Sequence, residues 1–506
     1  MERPLNICLI STNDIAGGAA KAAYRLHKGL MLRGHNSVML VRNKRSADEN
    51  VLALSILRGQ EQAEEEIFSA IRNELINQNR TGISDTVFSL PYPGYDLSNI
   101  DSVRSADVIN VHWVNYFQSV ESIASLLSLH KPVVWTLHDQ WAFTGGCHYS
   151  AGCEKYTQWC EQCPQLLDDS DRLPELVLKN KLKYFGDSMV VVSPSNWLAG
   201  CARKSTLFKN SRVEVIPNGL DIDTFKPTAK AQAKRSLNIN SDTTTILFGA
   251  VSYAKKRKGF QQLCEAFDFC NKSEKFAELI QNGKIRVITF GTTNPLMKQI
   301  GIPVASLGYI DSDEKLALIY SAADFLILPS LEENLPNIIT ESFCCGTPVI
   351  AFKTGGIPDV VKHGQTGYLA AAFNTNEMGK YILDLVFSPE IRKRMSSLVR
   401  QQAENHFSLQ VQADRYLQLF GDLLRDSAGL GSDSLLSEQK EYSPLLSSVD
   451  PAFFTIYRRF AREVVDRNSQ ALGSVDNSPF LRIISIGSKV VRKAGKSAKQ
   501  LIKHIL

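Results

Sequence analysis

The chain has 506 residues, 44% of them apolar and 22% charged, with a formal net charge of +5. That length exceeds what one hydrophobic core organises, so at least two domains are expected. The composition is ordinary for a soluble globular protein, and the charge is too weak to imply nucleic acid as a partner. Near the amino terminus the apolar run Leu5 to Ile10 is too short for a signal segment and reads as a first β-strand. No stretch approaches the uninterrupted apolar length of a membrane-spanning helix. Ten cysteines without an export signal argue for a reducing, cytoplasmic setting and against a disulfide framework.

In chain order, a strand at Ile7 to Ile10 enters the loop Ser11 to Gly18. A helix follows with apolar positions Ala19, Ala22, Ala23, Leu26 and Leu30, then a strand at Ser37 to Val41. Further strands are expected at Ala106 to Val111, Pro132 to Leu137 and Met189 to Val192. After the turn Pro217-Asn218-Gly219 a second set begins, at Thr245 to Ala250, Lys284 to Phe290, Val304 to Gly308, Phe325 to Leu328 and Pro348 to Phe352. Helical stretches such as Phe260 to Phe269 and Ser312 to Ser321 lie between them. Strands alternating with helices specify an α/β fold of doubly wound parallel sheets. Two such Rossmann-like domains, 1–215 and 216–405, leave a central cleft between their strand ends, where ligands of α/β sheets bind.

Residues 406–426 are expected to return to the first domain as a helix. A linker rich in Ser, Gly and Asp follows at 427–451, and then a helical extension at 452–506. Its end carries Arg482, Lys489, Arg492, Lys493, Lys496, Lys499 and Lys503, without an acidic residue from Phe480 onward. Apolar residues at helical spacing lie opposite, a pattern that fits an anionic membrane surface or a helix packed on its own protein.

The segment from Glu333 to Glu341 carries the most chemistry. Two carboxylates lie eight positions apart in a loop that turns into a helix, with strand-like runs on either side. Pro336 suits a first helical position, where its missing N–H costs nothing. The free N–H groups of Asn337 and Ile338 would then favour a phosphate or carboxylate. Glu341, further along, would accept from hydroxyls such as a ribose diol.

These features resemble the retaining GT-B glycosyltransferases of family 4, over about residues 5 to 425. The resemblance rests on an ordered set: the GGAA loop, His138 in WTLHD, SPSNW at 193–197, IPNGLD at 216–221 and RKGF at 257–260. GYI at 308–310, the Glu333 to Glu341 pair, and GGIPDVV then GQTGYL within 355–369 complete it. It implies sugar transfer from a nucleotide diphosphate donor, with retention at the anomeric carbon and no metal required for catalysis. A saccharide or lipid-linked acceptor in polysaccharide, lipopolysaccharide or capsule assembly would be the second substrate. By the same resemblance Glu341 binds the ribose and Glu333 touches the donor sugar, with Glu332 beside it as a rival.

By the same resemblance Arg257 and Lys258 stand where diphosphate contacts are made, with Lys255 and Lys256 as alternatives to Arg257. Gly17 and Gly18 let backbone approach the phosphates, and Tyr309, Ile310, Asn334 and Leu335 complete the donor side. The resemblance implies that His138 lies near the reacting centre, while His112 and Asp139 are assigned to the acceptor side. Asp221 and Asp223 form a D-x-D pair read as structural. A nucleotide-sugar epimerase of the same fold and a non-enzymatic binding protein are the competing readings.

One feature is outside that family pattern. Cys147, Cys153, Cys160 and Cys163 fall in the single loop GGCHYSAGCEKYTQWCEQCPQ. Four thiols so close suit a tetrahedral structural zinc, although an iron–sulfur site, a thiol pair or unligated cysteines are also compatible.

Overall fold

The computed structural model describes residues 3–54, 72–83, 86–92, 94–186, 189–250, 255–291 and 295–428. The extension 452–506 and its basic end lie outside these residues. Within them, the first domain is built on a parallel sheet of β1 (Asn6–Asn13), β2 (Asn36–Asn43), β3 (Val51–Ala53), β4 (Val108–Val111), β5 (Val133–Thr136), β6 (Val190–Ser193) and β7 (Val213–Val215). The second domain holds β8 (Thr244–Ala250), β9 (Ile285–Gly291), β10 (Val304–Ser306), β11 (Phe325–Leu328), β12 (Val349–Phe352) and β13 (Gly367–Ala370). The two sheets run β3-β2-β1-β4-β5-β6-β7 and β10-β9-β8-β11-β12-β13, parallel throughout. The expected α/β architecture of two doubly wound domains is therefore present.

The inner strands β11 (FLIL) and β12 (VIAF) are apolar at every position and β4 (VINV) at all but Asn110, and all their residues are buried. That is the mark of parallel strands covered by helices on both faces. The short strands β3, β7 and β13 were not foreseen. Each pairs along one side of its sheet and spans three or four residues, too few for a periodic signal.

Strand order reverses between β1 and β4 in the first sheet and between β8 and β11 in the second. Crevices open at such switch points, beyond the carboxyl ends of the strands. The loop after β1 leads to Gly17, and the loop after β11 carries Glu333.

Helix Leu409–Ala428 brings the chain back onto the first domain. Ala413, Tyr416 and Phe420 join Leu9, Leu26 and Leu30 in one buried cluster, and the Tyr416 hydroxyl meets Thr136 Oγ1 at 2.9 Å. This helix occupies the first two positions of the expected linker. Among the described residues no helix is long and apolar enough to cross a membrane.

Candidate active site

Glu333 is the hub of the cleft. Its Oε2 accepts from Arg257 Nη1 at 2.8 Å and from Lys258 Nζ at 2.5 Å, and its Oε1 accepts from the Tyr149 hydroxyl at 3.2 Å. Only 6% of the residue is exposed. Burial opposes its ionisation, but the charges of Lys258 and Arg257 prevail and hold the carboxyl at about 2. Lys258 is pushed down by burial against the pull of Glu333, whereas Arg257 is held up by Glu333 despite burial. The Arg257 guanidinium also lies 4.4 Å from the Tyr149 ring centre. Glu332 is not its equivalent, because Glu332 Oε2 accepts from the backbone N–H of Ala151 at 3.1 Å.

The Glu333 loop is fixed from beneath by Gly355, whose φ is +52°. A Cβ there would collide with the Glu333 carbonyl, so the GG of GGIPDVV is required by close backbone approach. The carbonyl also accepts from the N–H of Gly356 at 3.1 Å.

Across the cleft, Gly17 caps the helix Gly18–Leu32 with φ 98°, open to solvent on the side a Cβ would occupy. Asn337 Nδ2 donates to the Gly18 carbonyl at 3.0 Å, which sets the amino ends of helices Gly18–Leu32 and Asn337–Cys344 beside one another. Two converging helix amino ends favour an anion between them. Pro336 is the cap preceding the second helix, with ψ 127°, rather than its first residue. Its extended backbone lets the Glu333 loop run straight into the helix.

Glu341 accepts from Arg25 Nη2 at 2.9 Å and from the Tyr320 hydroxyl at 2.8 Å. One bond is made by each carboxylate oxygen, so acceptor capacity remains for a diol. Arg25 and Lys21 both reach Asp313, at 3.4 and 2.8 Å, and extend this interdomain network.

His138 follows β5, with Nε2 at 3.1 Å from His112 Nδ1. Burial pushes His138 down to about 4, and burial followed by the neighbouring His138 pushes His112 well down, so both imidazoles are neutral at pH 7. Asp139 lines a small cavity with His112 and His138. Its oxygens are committed to Trp113 Nε1 at 3.0 Å, His148 Nδ1 at 2.6 Å and the Trp141 N–H at 2.9 Å, which makes it an organiser of the loop that follows.

Asn334 is likewise used as a clamp between domains. It donates to the His138 carbonyl at 3.1 Å and accepts from Ser195 Oγ of the SPSNW motif at 2.6 Å. Leu335 is buried in the apolar core of the second domain, so its side chain is not available to a donor. Ile310 packs against the same core, while Tyr309 is exposed.

The four loop cysteines line one cavity together with Gly145, Tyr156 and Gln165. Among the described residues they do not stand as a preformed metal-ligand group. Asp221 Oδ1 accepts from the N–H of Asp223 at 3.0 Å, the local turn expected of a structural pair. Sequence reasoning missed Arg25, Tyr149 and Tyr320. Each acts across a fold contact, and only the position of Arg25 four residues after Lys21, on the helix behind Gly17-Gly18, offered a signal.

Two doubly wound domains, with cations, carboxylates and helix amino ends converging on their facing switch points, define a GT-B architecture. A model described as Glycosyltransferase Family 4 matches residues 16–224, and one described as Glycosyl transferases group 1 matches residues 230–402. The chain belongs to the GT-B glycosyltransferases of this family. It is 28% identical over 273 residues to the putative colanic acid biosynthesis glycosyl transferase WcaC of Escherichia coli (strain K12), covering 50% of this chain and 60% of that protein. It is 24% identical over 218 residues to the N-acetyl-alpha-D-glucosaminyl L-malate synthase of Bacillus anthracis, covering 43% and 55%. The matches thus span little more than half the length of these curated relatives. The crystal structure of Anabaena HepE in complex with UDP and glucose shares the fold, with a TM-score of 0.56 and 15% identity over 82% of this chain and 99% of that one.

The ion cluster makes a prediction about acid stability. The carboxyl of Glu333 sits near 2 in the fold against an ordinary 4.5. Its contribution is therefore complete above pH 4.5 and is lost as pH falls through about 2. Glu333→Gln leaves two half-buried cations without their anion and is expected to cost about 1.5–3 kcal/mol at pH 7, the worth of hydrogen bonds to a charged group. It should also flatten the wild-type loss of stability on the acid side. Urea midpoints of both proteins at pH 7 and pH 3 test this, and equal midpoints at pH 7 would contradict the pairing.

Proposed function

We propose that the protein is a retaining glycosyltransferase that moves a sugar from a nucleotide diphosphate donor to a saccharide or lipid-linked acceptor in cell-surface polysaccharide biosynthesis. The observation that carries this reading is the half-buried pair Arg257 and Lys258, held on buried Glu333 beside the switch point of the second domain. Departure of a nucleoside diphosphate builds negative charge on its β-phosphate. Fixed cations in a water-poor cleft stabilise that charge without reorganising. The amino ends of helices Gly18–Leu32 and Asn337–Cys344 add to that stabilisation. In this reading those groups do the work that a metal ion does elsewhere, and catalysis needs none.

Glu341, on the helix Asn337–Cys344, accepts from the donor ribose. Glu333 orients sugar hydroxyls, and neutral His138 stands next to the reacting carbon. The anomeric bond to the diphosphate breaks as a bond to an acceptor hydroxyl forms on the same face of the sugar. The UDP and UDP-glucose named with the HepE structures support a nucleotide-sugar donor, and the name of WcaC supports a cell-surface polysaccharide as product. Relatives named for malate as well as for colanic acid leave the acceptor open to this chain's own cleft. The seven basic residues between Arg482 and Lys503, unaccompanied by acids, fit attachment at an anionic membrane face where a lipid-linked acceptor would lie.

Lys258→Ala and Glu341→Ala should each weaken donor use by about 1.5–3 kcal/mol, the worth of a hydrogen bond to a charged group, while leaving the fold intact. Donor kcat/KM with circular dichroism as the folding control measures this, and full turnover by both variants would remove the assigned donor site. The anomeric configuration of the product, read by NMR, decides retention. Deleting residues 480–506 should lower co-sedimentation with anionic liposomes, and an unchanged bound fraction would end the membrane proposal.

A further inference from the structure

The loop between Gly145 and Gln165 holds four cysteines that the donor chemistry does not use. Cys147, Cys153, Cys160 and Cys163 come from different turns of that loop, yet all four line one cavity of about 20 Å³, walled by Phe88, Tyr156 and Pro174. That volume suits a single ion and no organic ligand. All ten cysteines of the chain are free thiols.

Next to the cavity lies Lys181, which is fully buried. Its ammonium donates to the carbonyls of Trp141 at 2.5 Å and Thr144 at 2.9 Å, and it forms no ion pair with a carboxylate among the described residues. The groups that act on it electrostatically are Cys160, Cys147 and then Asp139. Two carbonyls and the Trp141 ring, 4.0 Å from the ammonium, answer part of its charge, and an anion nearby would answer more of it. Four thiolates around a divalent ion carry two net negative charges, and Lys181 is placed to offset one of them. The C-x-x-C turn adds a further mark, because Cys160 and Gln162 hold φ of 54° and 49°. Non-glycine residues keep that backbone only where the surroundings over-determine it.

We propose that Cys147, Cys153, Cys160 and Cys163 bind one zinc ion as a tetrahedral tetrathiolate, and that this ion fixes the loop that braces Glu333. The side chains are not in ligating positions without the ion. Each thiol, however, turns on a single χ1 torsion with three staggered positions, which is the movement needed to close on a metal in the shared cavity. Between Cys147 and Cys153 the loop carries Tyr149, which donates to Glu333, and Ala151, whose N–H donates to Glu332. It also carries His148, which bridges Asp139 and Ser89 Oγ, the latter at 2.8 Å. Zinc would therefore act on the cleft from a distance, as a clasp on the loop rather than as a participant in the reaction. The coupling to Glu333 rests on the donor-site reading, whereas the zinc assignment does not.

The test uses the full chain produced in zinc-supplemented medium and purified without chelator. Metal analysis should find one zinc per chain. Cobalt exchange should produce the charge-transfer and d–d absorption bands of a tetrahedral tetrathiolate. Cys160→Ser with Cys163→Ser should lose both signals, and Cys264→Ser, outside the loop, should keep them. The cobalt spectrum of the wild type decides the matter if the double variant does not fold. No zinc above background together with no cobalt–thiolate bands would overturn the proposal. So would iron with acid-labile sulfide in place of zinc, or zinc retained at full occupancy by a folded double variant. Nucleotide binding measured on the same sample keeps the two claims apart, because a zinc protein that ignores every nucleoside diphosphate would sink the donor site and leave the zinc site standing.

Discussion

The arrangement of the cleft depends on one buried carboxylate held by two cations. Glu333 belongs to the loop after β11, Arg257 and Lys258 to the turn before the helix Phe260–Cys270, and Tyr149 to the first domain. A carboxylate nearly out of water is stable only when its charge is answered. Answering it here gathers three separate segments at one point. The cations gain from the same arrangement, since without Glu333 two like charges would stand side by side unanswered. In the proposed reading they are preset for a phosphate before any donor arrives. The Gly355 contact beneath the Glu333 carbonyl holds the loop so that the carboxylate can reach them.

Around this hub the two domains meet through polar side chains rather than through a shared apolar core. Arg25 answers Glu341, Lys21 answers Asp313, Asn334 joins Ser195 to the His138 carbonyl, and Asn337 reaches Gly18. Most of these residues sit beside the positions assigned to donor or acceptor. Contacts of this kind are exchangeable for contacts with a bound substrate at small net cost, because a hydrogen bond given up is replaced by another. A donor ribose at Glu341 would share it with Arg25. The cleft is thus built from groups that hold the domains together and groups that can hold a ligand, and several residues do both.

Much of this could be read in the chain. The apolar strands and the helices between them specified two doubly wound sheets, and the ordered motifs singled out Glu333, Arg257 and Lys258, which the fold joins in one ion cluster. What could not be read were partners distant in sequence. Tyr149 meets a residue of the other domain, and so does Arg25, and nothing local marks either contact. The residue types at Asp139 and Asn334 looked like ligand-binding groups, but their hydrogen bonds turn out to be spent on Trp113, His148, Ser195 and a backbone carbonyl. Leu335 followed the same course, since a core position and a donor-facing one are identical in a short loop. Pro336 was off by one position because proline is tolerated both as a cap and as a first helical residue. The cysteine loop was visible as a cluster, whereas its link to Glu333 through Tyr149 required the fold.

The central claim is that Glu333, Arg257 and Lys258 form the floor of a nucleoside diphosphate site. Thermal unfolding of the full chain against UDP, GDP, ADP, dTDP and the monophosphate CMP, alongside Lys258→Ala, tests it most directly. The account predicts a rise in Tm with at least one diphosphate, little response to CMP, and loss of the rise in the variant. No rise with any diphosphate, or an equal rise in wild type and variant, would contradict it.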